Sequence, residues 1–150
     1  MQSKVINGIT IGRMLESDVR GVLDLQNELG FMNWTERQIV ASLRAQGAVP
    51  LVAKLDNVVG YAIFQLLADE AELLAIAVSR ACSRRGLATE LFRIGLGELK
   101  RALAKRLFLE VREGNLPARN FYCSMGAGEC GFRKNYYADG EAAVLYRLDF

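Results

Sequence analysis

The stretch AELLAIAVS, Ala71 to Ser79, carries one charged side chain in nine residues. It runs straight into an arginine-rich turn, RACSRRG, and then into LATELFRIGLGELKRALAK. A run that apolar suits a central strand covered on both faces rather than a half-solvated one. After it, Leu87, Leu91, Ile94, Gly95, Leu99 and Leu103 form one helical stripe that Phe92 and Leu96 widen, which predicts a helix from Arg84 to Lys105. Strand, tight turn and long amphipathic helix in direct succession restrict the chain to a mixed α/β design.

The flanking segments extend this pattern. VINGITIGRM predicts a short strand, and ESDVRGVLDLQNEL a helix with Ser17 as its cap. In NWTERQIVASLRAQG, Thr35 and Gln38 have capping-box spacing and Gly47 marks a stop. VPLVAKL and VVGYAIFQLL read as a hairpin about Asp56-Asn57. KRLFLEVRE alternates as a strand, with Leu107, Leu109 and Val111 on one side and Glu110 and Arg112 on the other. NLPARNFYCSMG is a short helix with Asn115 as cap, Pro117 early and Gly126 as its end. A last hairpin turns at Asp139-Gly140. The order is β-α-α-β-β-β-α-β-α-β-β in a single domain spanning residues 1–150, with no linker or repeat.

Composition narrows the chemistry. There is no histidine, which excludes Ser-His and Cys-His nucleophile pairs and leaves acid–base work to Glu, Asp, Tyr, Lys or Cys. Three cysteines, none in a Cys-x-x-Cys pair, argue against disulfides and against a zinc site. A net charge of +2 is too small for a nucleic-acid binder, although nine of the 19 Lys and Arg residues fall between Arg80 and Arg112. No apolar run has the length of a signal peptide core or a membrane span, so a cytoplasmic protein is expected.

The turn before the long helix has the makings of an anion site. The first N–H groups of a helix lack internal partners and sit at the positive end of its dipole. Gly86 keeps the approach free of a Cβ, Ala88 is small, and the arginines add charge. No Gly-x-Gly-x-x-Gly or Gly-Lys-Ser/Thr pattern is present. Local physics leaves a solvated turn and an anion cradle both open.

Three segments carry a resemblance: LLAIAVSRACSRRGLATELF, LFLEVREGNLPARNFYCSMG and FRKNYYADGE, with weaker support from NWTERQI. They resemble the GNAT superfamily of acetyl-CoA-dependent N-acetyltransferases. LEVREGN and RKNYY point within it to the subgroup that acetylates the N-terminal alanine of the eighteenth protein of the small ribosomal subunit. The resemblance implies a mostly antiparallel central sheet, splayed in the middle and flanked by helices. It implies acetyl-CoA as cosubstrate, no metal, a ribosomal-protein N-terminus as acceptor, no nucleic-acid or membrane partner, and a monomer or weak dimer.

It also implies roles. Arg84, Arg85, Gly86, Leu87, Ala88 and Thr89 would wrap the coenzyme A pyrophosphate. Ile76, Ala77 and Val78 would offer backbone groups to the pantetheine chain and acetyl carbonyl, and Asn115 would touch the cofactor. Glu110 falls on the general-base position and Tyr122 on that of the proton donor. Trp34, Tyr136 and Tyr137 would shape the acceptor groove. From the residues alone, Glu110 reads rather as a solvated strand residue and Tyr122 as a half-buried packing aromatic. Cys82 and Cys123 are incidental if acetyl passes directly to the amine. Two departures stand out. Glu141 is followed by Ala142-Ala143 where relatives carry an acidic pair, and Met125-Gly126-Ala127 replaces Leu-Gly-Phe. An acetyltransferase for lysine side chains or small amines, and a non-catalytic acyl-CoA-binding module, are the competing functions.

Overall fold

The computed structural model describes residues 1–30 and 34–150; Asn33, which heads the NWTERQI segment, lies outside them. The elements are β1 (Lys4–Ile6), β2 (Ile9–Arg13), α1 (Val19–Leu29), α2 (Glu36–Arg44), β3 (Ala48–Lys54), β4 (Val58–Leu67), β5 (Glu70–Val78), α3 (Leu87–Arg101), β6 (Arg106–Arg112), α4 (Leu116–Ser124), β7 (Gly128–Arg133) and β8 (Ala143–Asp149). The strands form one sheet of order β1-β2-β3-β4-β5-β6-β8-β7, so the apolar β5 is indeed interior. Neighbours pair antiparallel except β5 and β6. A parallel pair needs a crossover, and α3 supplies it.

Helices cover both faces. Beneath α3 and α4, one core gathers Leu87, Leu91, Phe92, Leu99, Leu109, Val111, Tyr122 and Tyr146. A second core lies beneath α1 and α2 and includes Val22, Leu25, Ile39, Tyr61, Ala75 and Ala77. The split follows from strand alternation: Val111 and Leu109 go to the first core, so Glu110 goes to the other face.

Three local expectations are corrected. VINGITIGRM is two strands, because Asn7 and Gly8 both take positive φ and close a two-residue hairpin. Ser17 does not cap α1. A 3-10 turn, Glu16–Asp18, precedes the helix, and the Leu15 N–H donates to Asp18 Oδ2 at 2.9 Å. The long helix is shorter at both ends. Gly86, at φ 73°, takes the N-cap position and excludes Arg84 and Arg85. At the other end Leu103 sits at φ 67°, with its N–H on the Lys100 carbonyl and the Ala104 N–H on that of Leu99. That is a Schellman ending with leucine where glycine is usual. Leu103 therefore leaves the apolar stripe and is 80% exposed. The expected Thr35–Gln38 capping box is present, with bonds of 2.8 and 3.1 Å.

Candidate active site at the splayed strands

β5 and β6 pair only where Glu70–Glu72 face Arg106–Phe108. Beyond that they part, while β4 follows β5 to Val78 and β8 follows β6 to Arg112. The cause is local. Leu73 pairs with Phe64 and Ala75 with Ile63, so Leu74 is an extra residue that bends β5 away. The Ser79 N–H donates to the Val59 carbonyl at 2.8 Å. By the two-residue alternation of an antiparallel ladder, Ala77 and Ala75 also turn their backbone groups to β4. Ile76 and Val78 then turn theirs into the gap. Of the three residues expected to offer free backbone groups there, Ala77 does not.

Below the gap the chain makes a 3-10 turn, Arg80–Cys82, anchored by the buried Cys82. The Arg85 N–H donates to the Cys82 carbonyl at 3.1 Å, so it is committed within the turn, and only the side chain of Arg85 is left for the pyrophosphate role that the resemblance implies. The first helical bond of α3 runs from the Glu90 N–H to the Gly86 carbonyl. This leaves the N–H groups of Gly86, Leu87, Ala88 and Thr89 without backbone acceptors among the described residues. A Cβ placed on Gly86 would meet nothing within 4 Å. Arg84 and Arg85 are exposed and, among the described residues, pair with no acid. The turn is an open concavity at a helix N-terminus with spare charge beside it, which suits a phosphate group.

On the α1/α2 side of the sheet the splay opens into a groove of about 790 Å³. Glu72, Leu74, Glu110, Tyr136, Tyr137 and Tyr146 are among the residues that line it. Glu110 is exposed there. Hydrogen bonding to the Glu110 carboxylate, and next its negative charge, hold the Tyr136 phenol above its usual 10.0. Trp34 is not brought to this groove. It packs half-buried against the second core, its carbonyl accepting from Gln26 Nε2 at 2.8 Å. A second concavity, about 710 Å³, lies outside α3 between Lys4 and Arg101 and touches neither the gap nor the turn.

Tyr122 stands on the opposite side, under α3. Its ring packs against Phe92 at 5.9 Å, Phe121 at 5.2 Å and Tyr146 at 6.4 Å. Burial pushes the phenol up to about 12, so it stays protonated through the physiological range. Phe92 belongs to the second turn of α3, which puts Tyr122 on the same side of the sheet as the Gly86 turn. Asn115 caps α4, its Oδ1 accepting from the Ala118 N–H at 3.2 Å. That leaves its amide nitrogen for another partner. Arg119 locks the same helix to the sheet by donating to the Tyr146 hydroxyl at 3.0 Å and to Glu129 Oε1 at 2.7 Å.

Residues 19–127 match the family model described as acetyltransferase (GNAT) family. The chain belongs to that family. It is 33% identical over 145 residues to the [ribosomal protein bS18]-alanine N-acetyltransferase of Haemophilus ducreyi, covering 92% of this chain and 98% of the relative. It is 32% identical to an N-alpha-acetyltransferase of Sulfurisphaera tokodaii over 71% of this chain and 72% of the relative. The crystal structure of the Escherichia coli ribosomal-protein-S18-alanine N-acetyltransferase superposes with a TM-score of 0.86 at 28% identity, covering 94% of this chain and 93% of that one. The eight-stranded, mostly antiparallel sheet with its splay is the GNAT arrangement, and the protein is an acetyl-CoA-dependent N-acetyltransferase.

In this GNAT domain one cluster was missed by sequence reasoning. Arg112 gathers Asp139, Glu141 and Tyr137 around itself. The available signal was alternation, which places Arg112 on the same face as Glu110, two residues further along β6. Ala142 and Ala143, where an acidic pair was noted as missing, are both buried, Ala142 as the last residue before β8 and Ala143 as its first. Cys82 is buried, while Cys123 is exposed on α4 and lines no part of the groove.

Proposed function

We propose that the protein transfers the acetyl group of acetyl-CoA to the N-terminal α-amine of a ribosomal protein, one that begins with alanine, by direct attack. The observation that carries this is the splay. It is an opening in the sheet with Glu110 at the acceptor groove on one face and Tyr122 with the Gly86 turn on the other. The names of the relatives support the acceptor.

The free N–H groups of Gly86 to Thr89 would hold the pyrophosphate, with Arg84 and Arg85 adding long-range charge. Bound acetyl-CoA supplies an acetyl thioester. The Ile76 and Val78 backbone groups would grip the chain that carries it, and the Val78 N–H is the natural donor to its carbonyl oxygen. Glu110 would take a proton from the incoming ammonium, directly or through water. An α-amine near pKa 8 asks little of that base. Tyr122 would donate to the departing sulfur. A thiol near pKa 8.5 is a stronger acid than a phenol at about 12. A hydrogen bond that strengthens as charge builds on sulfur fits this ordering better than a completed transfer.

The test is incubation with acetyl-CoA and peptides beginning Ala-, Ser- or Met-, beside lysine-containing blocked peptides and polyamines. Acetylation of the α-amine of the Ala- peptide is expected. Modification confined to ε-amines or polyamines would replace this reading, and tight coenzyme binding without turnover on any acceptor would support a binding module.

A further inference from the structure

We propose that Arg112 is a positioning residue for the acceptor: it fixes the loop that carries Tyr136 and Tyr137 over Glu110, and so sets where the incoming amine stands. This rests on the groove being the acceptor site.

The nine residues from Lys134 to Ala142 join β7 to β8 without regular structure. A connection of that length needs something to hold one conformation. Arg112 Nη1 donates to Asp139 Oδ2 and to Glu141 Oε1, each at 2.9 Å. The guanidinium also lies 4.0 Å from the centre of the Tyr137 ring. The two acids are themselves tied down. Asp139 Oδ1 accepts from the Glu141 N–H at 3.0 Å, and Glu141 Oε2 accepts from the Gly114 N–H at 2.9 Å. The loop backbone closes on itself, with the Tyr137 N–H on the Glu141 carbonyl.

The chain of contact then reaches the groove. Tyr137 meets Tyr136 edge-on at 5.1 Å, and Arg133 lies 5.4 Å from the centre of the Tyr136 ring. Each ring of the pair has a guanidinium beside it, and Tyr136 shares the lining of the groove with Glu110. Arginine suits the inner position because its planar fork can serve two carboxylates while its face stacks on a ring. Lysine would keep the charge, but its shorter, tetrahedral ammonium cannot lie flat on the ring while it reaches both carboxylates.

Steady-state kinetics of Arg112→Lys and Tyr137→Leu on an acceptor peptide test this, together with amide hydrogen exchange of residues 134–142. Each variant is expected to raise the acceptor KM about tenfold, a loss of about 1.4 kcal/mol of preorganisation, and to leave the acetyl-CoA KM within about twofold. Exchange in 134–142 should quicken. The double variant should be little worse than either single one, because both loosen the same loop. An unchanged acceptor KM, an equal rise in both KM values, or additive effects would overturn the proposal. If Arg112→Lys does not fold, Tyr137→Leu and Glu141→Gln decide by the same criteria. If the wild-type protein acetylates no peptide, the functional reading fails. The exchange rates still decide whether Arg112 holds the loop.

Discussion

Glu110 and Tyr122 stand on opposite faces of one sheet. Glu110 opens to the groove, and Tyr122 lies in the core beneath α3 beside Leu109 and Val111, the residues flanking Glu110. If Glu110 and Tyr122 serve one reaction as base and acid, its substrates must meet in the gap between β5 and β6 beside the extra residue Leu74. Removing either group should leave the other side's ligand bound.

Tyr122→Phe is expected to lower kcat about 100-fold, within the range for loss of one positioned proton donor. Acetyl-CoA affinity, measured by calorimetry, should stay within about twofold, since the ring packing against Phe92 and Tyr146 is kept. At about 12, the phenol of the wild-type protein is uncharged up to pH 10. A kcat that falls between pH 8 and 10 in the wild type but not in Tyr122→Phe would contradict this.

Glu110→Gln should show a deficit that depends on pH. Near neutrality the acceptor is mostly ammonium and needs its proton removed. Above pH 8 an α-amine is already largely free. The ratio of wild-type to variant kcat/KM should therefore shrink as pH rises from 6 to 9. A constant ratio would mean that Glu110 acts otherwise than as a base.

Much of this was legible in the sequence, and the failures have a common cause. Alternation in RLFLEVR placed Glu110 outside and Val111 inside because both depend only on neighbours along the strand. Asn115 and Thr35 worked as caps for the same reason. The Asn7-Gly8 hairpin had an equally local signal that was overlooked. The bulge at Leu74 left none, since an extra leucine in LLAIA disturbs no pattern. The partners of Arg112 lie 27 and 29 residues away, beyond any short-range spacing rule. That the Cys82 carbonyl takes the Arg85 N–H was not legible either, since the turn that places this carbonyl is not announced by the composition.

Gly86→Val should weaken acetyl-CoA binding more than Arg84→Ala. Valine is strained at φ 73° and would push branched atoms into the open space before the free N–H groups. Arg84 is exposed, so its loss removes only screened charge. Titration calorimetry gives the order directly, and the reverse order would move the phosphate from the backbone to the arginine side chains.

The loop from Lys134 to Ala142 should persist well into acid. Hydrogen bonds from Arg112 and the Gly114 N–H hold Glu141 below its usual 4.5, and the Glu141 N–H and Arg112 hold Asp139 below its usual 3.8. A lowered carboxylate pKa contributes stability that is present above the ordinary value and lost as pH falls through the lowered one. Carboxyl carbon shifts should therefore titrate below 4.5 and 3.8 in the wild type and move back up in Arg112→Gln. Identical midpoints in the two proteins would detach Arg112 from the loop.

Leu103→Gly should stabilise the protein. Leu103 holds the left-handed position of the Schellman ending of α3, where a side chain costs about 1–2 kcal/mol. The residue is 80% exposed, so little apolar burial is given up. Glycine's greater freedom in the unfolded chain offsets about 0.5–1 kcal/mol of the gain. A net stabilisation of about 1 kcal/mol remains, which at this chain length raises Tm by about 2–4 °C. Leu103→Ala removes the same exposed side chain without relieving the backbone and should change Tm little. Equal shifts for the two variants in a thermal melt would show that exposure of the leucine, not its φ, is what matters at this position.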